Sequence, residues 1–152
     1  MDAKPVDARA SLTATVFLGI GLMAAVDEIV FHQILAWHHF FDRSTPAVAL
    51  LSDGLLHSAE LLMLAAGFLL YVRLSRHRAV SRGPAWGGLL IGAGAFQLFD
   101  GIVDHKLLRL HQVRYVDNLW IYDLAWNGFG VLLLAVGFVI WRRSLRSGVD
   151  GR

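Results

Sequence analysis

Hydrophobic residues along this chain fall into four long blocks separated by short polar stretches. The blocks run over residues 11–36, 47–72, 85–105 and 119–141. Each is close to the roughly 20 residues that an α-helix needs to cross a hydrocarbon core about 30 Å thick. The pattern therefore predicts an all-α protein with four transmembrane helices.

Composition and charge agree with a membrane protein. The 152 residues are 56% hydrophobic and 17% charged, which lies outside the usual range of soluble domains. Arginine and lysine are concentrated before the first block, between the second and third, and after the fourth. Because basic residues favour the cytoplasmic side, we expect both termini in the cytoplasm of a bacterial cell and no nucleic acid as partner. The chain has no cysteine, which excludes disulfides and thiolate metal ligands.

The two halves of the chain resemble each other. The stretch "GIGLMAAVDEIVFHQILAWHH", from Gly19, matches "GAGAFQLFDGIVDHKLLRLHQ", from Gly92, at eight of 21 positions. The second helices align as well, with Asp53 opposite Asp123. Since each half contains two spans, both insert the same way up, and a pseudo-two-fold axis along the membrane normal should relate them.

This duplication predicts how the chain is organised. We expect one membrane domain over residues 11–152, preceded by a cytoplasmic tail at 1–10 and ending in a short basic cytoplasmic tail. Repeat one covers about 11–73 and repeat two about 85–143. Two tandem two-helix repeats most simply form a four-helix bundle. The surrounding lipid bilayer is the expected partner, while a membrane or extracytoplasmic protein partner and the oligomeric state stay open.

Ionisable residues interrupt the apolar pattern near the ends of the first and third blocks. In the first they are Asp27, Glu28, His32, His38 and His39, and in the third Asp100, Asp104, His105 and His111. On an α-helix advancing 100° per residue, each set occupies one arc of about 140°. Charges at membrane depth cost about 2.5 to 3.5 kcal/mol each at a helix centre. The polar arcs should therefore face the bundle interior and serve a function.

Depth along the helices groups these residues with others on the second and fourth spans. At about 1.5 Å of rise per residue, we predict an outer layer of His32, His105, Asp53 and Asp123 and an inner layer of Asp27, Asp100, His57 and Glu60. Supporting or entrance residues would be Glu28, Asp104, His38, His111 and Asn127. Alternatively, Asp53 and Asp123 are helix N-caps, and His38 and His111 are ordinary loop residues.

Several of these motifs resemble a known family. They are "MAAVDEIVFHQILAWHHF", "SDGLLHS", "FQLFDGIVDHKLLRLHQVR" and "NLWIYDLAWN". Together they are similar to an uncharacterised family of predicted bacterial integral membrane proteins, domain of unknown function 2243, over nearly all of residues 12–143. The resemblance implies four membrane spans and assigns no activity.

The histidine and carboxylate set favours a metal site near the extracytoplasmic side. Iron, copper(II) and zinc are the candidate ions, because imidazole and carboxylate ligands suit them. Redox and metal-handling roles are both open, as is enzyme activity. One alternative is an electron carrier with b-type haem held by His32 and His105. Another is a small transporter or proton pathway that uses the intramembrane acids.

Overall fold

Four long helices make up most of the protein in a computed structural model that describes residues 6–150. Helix α1 spans Ala8–Val26, α2 spans Pro46–Arg76, α3 spans Arg82–Leu98 and α4 spans Leu119–Asp150. Two π-helical segments, Asp27–Ile34 and Phe99–Leu107, continue α1 and α3 without a break. All four are long and apolar enough to cross a membrane, as the hydrophobic blocks predict. Lys4 and Arg152, part of the charge pattern, lie outside the described residues.

Local capping fixes where the helices begin. The Asp7 side chain accepts a hydrogen bond from Ala10 N at 2.8 Å at the start of α1. Thr45 caps α2, and Pro46 fills its first turn, where a missing N–H costs nothing. Helix α2 therefore begins seven residues before Asp53, and α4 begins four residues before Asp123. The interpretation of these two aspartates as N-caps is wrong.

The helices pack in the order α2, α1, α3, α4. Helices α1 and α3 form the central pair, and α2 and α4 flank it. The loop of residues 77–81 joins α2 to α3 at the end that holds both described chain ends, where Asp7 N donates to Ala79 O at 2.8 Å. Loops 35–45 and 108–118 lie at the opposite end, which we call the loop end.

Glycines set the close approach of the two central helices. A Cβ on Gly19 would collide with the backbone at Leu89 and Ala93, and one on Gly92 would collide with Val16 and Ile20. The two sets of contacts are equivalent, because Gly92, Leu89 and Ala93 lie 73 positions after Gly19, Val16 and Ile20, the same offset that aligns the two halves of the sequence. The pseudo-two-fold axis itself stays a prediction, and these reciprocal contacts are of the kind that it would produce.

The π-helical segments are a feature that the sequence pattern does not predict. The expected α-helical spacing stops at Asp27 and at Phe99, where wider turns with i to i+5 bonding begin. Each segment ends just before a residue with left-handed backbone, Ala36 with φ of 48° and Arg109 with φ of 53°. The wider turn brings side chains five residues apart onto one face, and Gln33 Nε2 accordingly donates to Glu28 Oε1 at 2.8 Å.

Candidate metal centre

Four histidines and two aspartates are buried together at the loop end, where the two π-helical segments meet. They are Asp27, His32, His38, Asp100, His105 and His111, each at most 3% exposed. We call this group the six-residue centre. His38 and His111 lie inside it, contrary to their expected place at the entrance or in ordinary loops. The sequence does contain an indication that both belong to the site, because His38 and His111 align with each other in the duplication.

Three ligand atoms of the second half converge closely. His105 Nε2 lies 3.0 Å from Asp100 Oδ2 and 2.9 Å from His111 Nε2. His111 Nε2 lies 3.4 Å from Asp100 Oδ1. Ligands bonded at 2.0–2.1 Å to a tetrahedral metal ion are about 3.3 Å apart. The spacing of these atoms therefore matches that of ligands around one ion.

The orientations of His38 and His111 are fixed by the opposite half of the chain. His38 Nδ1 lies 2.9 Å from Val113 O, and His111 Nδ1 lies 2.9 Å from Phe40 O. A carbonyl oxygen only accepts, so each Nδ1 carries a proton and Nε2 is the ring nitrogen that faces the centre. Burial, with His111 and His32 nearby, lowers the pKa of His38 to about 2, so this ring is neutral.

The four imidazole rings are arranged as two matching pairs. The rings of His38 and His111 stack with centroids 4.5 Å apart and planes 10° apart. Within each half, His32 lies 4.5 Å from His38 and His105 lies 4.5 Å from His111. The other two contacts between the halves are longer, 5.9 Å from His32 to His111 and 6.1 Å from His38 to His105. His32, His38 and His111 each contribute a ring nitrogen, and these three atoms lie within 4.8 Å of one another.

Several polar atoms of the six-residue centre have no hydrogen-bond partner among the described residues. They are both carboxylate oxygens of Asp27, both ring nitrogens of His32, Nε2 of His38, Oδ2 of Asp100 and Nδ1 of His105. The 3.0 Å approach of Asp100 Oδ2 to His105 Nε2 lacks the alignment of a hydrogen bond. Buried charges without partners are costly. A cation bound among these atoms would remove that cost.

An acidic flank adjoins the centre on the side of α2. Glu28 Oε2 lies 2.8 Å from His32 Nδ1, and Asp53 Oδ1 lies 3.3 Å from the same nitrogen. Asp53 also accepts from His39 Nδ1 at 2.6 Å and from Phe40 N at 2.8 Å. The hydrogen bond to Asp53 raises the pKa of His39. Glu28, His32 and Asp53 together form a further buried group with metal-ligand spacing.

The second half has no equivalent flank. Gly101 stands where the first half has Glu28, and a Cβ there would meet the Asn127 side chain at 2.5 Å. Asp123 is partly exposed and pairs with Lys106 Nζ at 2.7 Å, while Asn127 Nδ2 donates to the backbone oxygen of Asp123 at 2.9 Å. Asp123 and Asn127 thus form no ion pair or hydrogen bond with the six-residue centre in the described residues, although one side-chain oxygen of each is buried without a partner.

The remaining sequence candidates form no hydrogen bond or ion pair with the six among the described residues, although Glu60 and Asp104 are buried near Asp27. His57, whose side chain is 49% exposed, pairs with the buried Glu60 at 2.5 Å on α2. Asp104 is buried, and its backbone oxygen accepts from Leu110 N at 2.9 Å. The predicted division into two depth layers is wrong. The wide π turns and the inward fold of both loops bring Asp27, Asp100, His38 and His111 to one level with His32 and His105.

Comparison with known proteins gives one match. Residues 14–144 match the family model described as "Predicted membrane protein (DUF2243)". No curated protein and no solved structure matches the chain significantly. The matched range takes in both π-helical segments and both loops that supply the buried histidines.

Proposed function

The chain belongs to the DUF2243 family of predicted membrane proteins, and we propose that it binds a transition-metal ion in the six-residue centre. The ligands would be drawn from the Nε2 atoms of the four histidines and the carboxylates of Asp27 and Asp100. The distribution of basic residues predicts that the loop end lies on the extracytoplasmic side. The bound ion would serve redox chemistry or metal handling at that membrane surface.

The observation that carries the proposal is the orientation of His38 and His111. Each ring is held through Nδ1 by a carbonyl of the other half, so both Nε2 atoms face the centre, where that of His111 contacts His105 Nε2 at 2.9 Å. His38 Nε2 is buried and has no partner in the described part of the chain. Neutral imidazole presented in this way is the usual form of a histidine metal ligand.

Charge and ligand type narrow the choice of ion. Two carboxylates would neutralise one divalent cation, which lowers the cost of burying it. Imidazole nitrogen and carboxylate oxygen suit iron, copper(II) and zinc, whereas copper(I) prefers thiolate and thioether sulfur. The six residues contain no sulfur ligand. Iron, copper(II) and zinc are therefore the ions that we propose.

The geometry supports the two alternative functions less well. His105 Nε2 lies 2.9 Å from His111 Nε2, and the stacked rings of His38 and His111 fill the middle of the centre. A porphyrin would have to displace them to be held by His32 and His105. A transport pathway between α1 and α3 would be blocked where Gly19 and Gly92 bring the two backbones into contact.

Metal analysis of the full-length protein in detergent tests the proposal. We expect at least one equivalent of iron, copper or zinc in the wild type, and a loss of at least tenfold in His111→Gln. The matched control is His77→Gln, in the loop between α2 and α3, which should keep the metal of the wild type. Helical content by circular dichroism checks that each variant folds. Less than about a tenth of an equivalent of any transition metal after reconstitution would refute the proposal.

A further inference from the structure

The acidic flank beside His32 has ligand atoms that the six-residue centre does not use. Glu28 and Asp53 are 2% and 1% exposed, and both carboxylates approach the same atom, His32 Nδ1, at 2.8 Å and 3.3 Å. Neither His32 Nδ1 nor Glu28 Oε2 has a hydrogen-bond partner among the described residues. These atoms therefore form a second buried set with the spacing of metal ligands.

His32 lies between the two sets. Its Nε2 faces the six-residue centre, 3.7 Å from Asp27 Oδ2, while its Nδ1 faces Glu28 and Asp53. An imidazole can bind one ion through each nitrogen once the ring has given up its proton. Two ions bridged in this way would be about 6 Å apart, given metal to nitrogen bonds of ~2 Å on either side of the ring.

The flank is specific to the first half of the chain. In the aligned second half, Gly101 replaces Glu28, and Asp123, aligned with Asp53, is held at the rim by Lys106. His105, the counterpart of His32, has a buried Nδ1 with no hydrogen bond or carboxylate ion pair in the part of the chain that the structure describes. An acid pair that merely stabilised the duplicated fold would be expected in both halves. Its presence in one half indicates a role that the other half does not share.

We propose that Glu28, Asp53 and His32 Nδ1 hold a second divalent transition-metal ion, and that His32 bridges it to the ion of the six-residue centre. This inference rests on the proposed function, because the bridge requires the first ion. The Nδ1 proton of His32 leaves to solvent as the second ion binds. The carboxylates of Glu28 and Asp53 then balance the charge of this ion, as Asp27 and Asp100 balance the first.

Copper(II) alone is a suitable probe, because two copper(II) ions joined by an imidazolate couple magnetically. For the full-length protein in detergent, we expect two bound equivalents by elemental analysis. We also expect an electron paramagnetic resonance signal that accounts for much less than the bound copper. Glu28→Gln keeps the shape of the side chain and should bind one equivalent with a full signal. Asp53→Asn should behave in the same way, so the test does not depend on the folding of one variant.

Asp123→Asn is the matched control, since Asp123 aligns with Asp53 but contacts Lys106 instead. This variant should bind two coupled ions like the wild type.

If the wild type binds one equivalent with a full signal and His111→Gln removes it, the second site is refuted and the six-residue centre stands. If the wild type retains no copper, and iron and zinc are not retained either, both proposals fall. Two equivalents that persist in Glu28→Gln and Asp53→Asn would place the second ion elsewhere and overturn the assignment.

Discussion

Asp27 and Asp53 are both buried aspartates near His32, yet their surroundings differ. Asp27 is 1% exposed and neither of its carboxylate oxygens has a hydrogen-bond partner among the described residues. Asp53 is equally buried but accepts from His39 Nδ1 and Phe40 N. A buried carboxylate without partners destabilises the folded state, whereas one with good donors does not. The first arrangement is typical of a residue retained for binding.

This difference predicts opposite effects of removing the two charges. In chelator-treated protein, we expect Asp27→Asn to raise the free energy of unfolding by about 1–3 kcal/mol, because it removes a buried carboxylate that accepts no hydrogen bond from the described residues. Asp53→Asn should lower the free energy by a similar amount, because it weakens its two hydrogen bonds. Denaturation in detergent, followed by circular dichroism, measures both.

The metal affinity of Asp27→Asn tests whether the Asp27 carboxylate is retained for binding. Asp27→Asn should bind metal at least tenfold more weakly than the wild type although its apo form is more stable. Opposed changes of this kind are expected where stability has been traded for function. A metal-free Asp27→Asn protein that is less stable than the wild type would show that the carboxylate has a structural role instead.

At the scale of elements, the contact between α1 and α3 determines how the two π-helical segments meet. A Cβ at Gly92 would collide with the Val16 carbonyl, whereas one at Gly128 in α4 would meet nothing within 4 Å. We therefore expect Gly92→Ala to lower the free energy of unfolding by about 1–3 kcal/mol through overpacking. Gly128→Ala, the matched control, should leave stability unchanged or raise it by up to ~1 kcal/mol.

The same pair of variants tests whether the helix crossing positions the centre. Gly92→Ala should also lose metal affinity, since a shift of α3 moves Asp100 and His105 relative to Asp27 and His32. Gly128→Ala should retain it. Equal metal affinity in the two proteins, measured by competition with a chromophoric chelator, would mean that the loops alone set the ligand geometry.

The elements also show what the sequence does and does not predict. The four spans and their approximate bounds follow from the hydrophobic blocks, because a bilayer sets the length of a crossing helix. The π-helical segments do not, since hydropathy does not show whether a helical turn closes on the fourth or the fifth residue. For this reason the α-helical rise of about 1.5 Å per residue places His32 and Asp27 in different layers, although the two side chains lie 3.7 Å apart.

The loops illustrate the same limit for the candidate site. His38 and His111 follow the π-helical segments, and hydropathy alone places both outside the membrane. Each is drawn inward by a carbonyl of the opposite half, a contact between residues more than 70 positions apart that no local pattern encodes. Their alignment in the duplicated sequence was the better guide. Asp123 and Asn127 show the converse, since they align with Asp53 and His57 but remain at the rim.

At the scale of the whole molecule, the six-residue centre joins the two halves of the chain at the loop end. Its ligands come from the continuations of both central helices and from both connecting loops at the loop end. Helices α2 and α4 flank the central pair and, within the described residues, do not pack against each other. Cross-links at the loop end should therefore influence the stability of the whole fold.

A bound ion should then stabilise the entire protein and not only its ligands. Binding to the folded state alone adds about 2.7 kcal/mol when the free ion is at 100 times its dissociation constant. We expect chelation to lower the unfolding temperature of the wild type and readdition of metal to restore it. Thermal unfolding in detergent, followed by circular dichroism, measures this shift, and His77→Gln should respond like the wild type.

His111→Gln should unfold at one temperature with or without metal, because its centre no longer binds the ion. An equal response to metal in His111→Gln and the wild type would mean that the stabilising ion binds outside the six-residue centre.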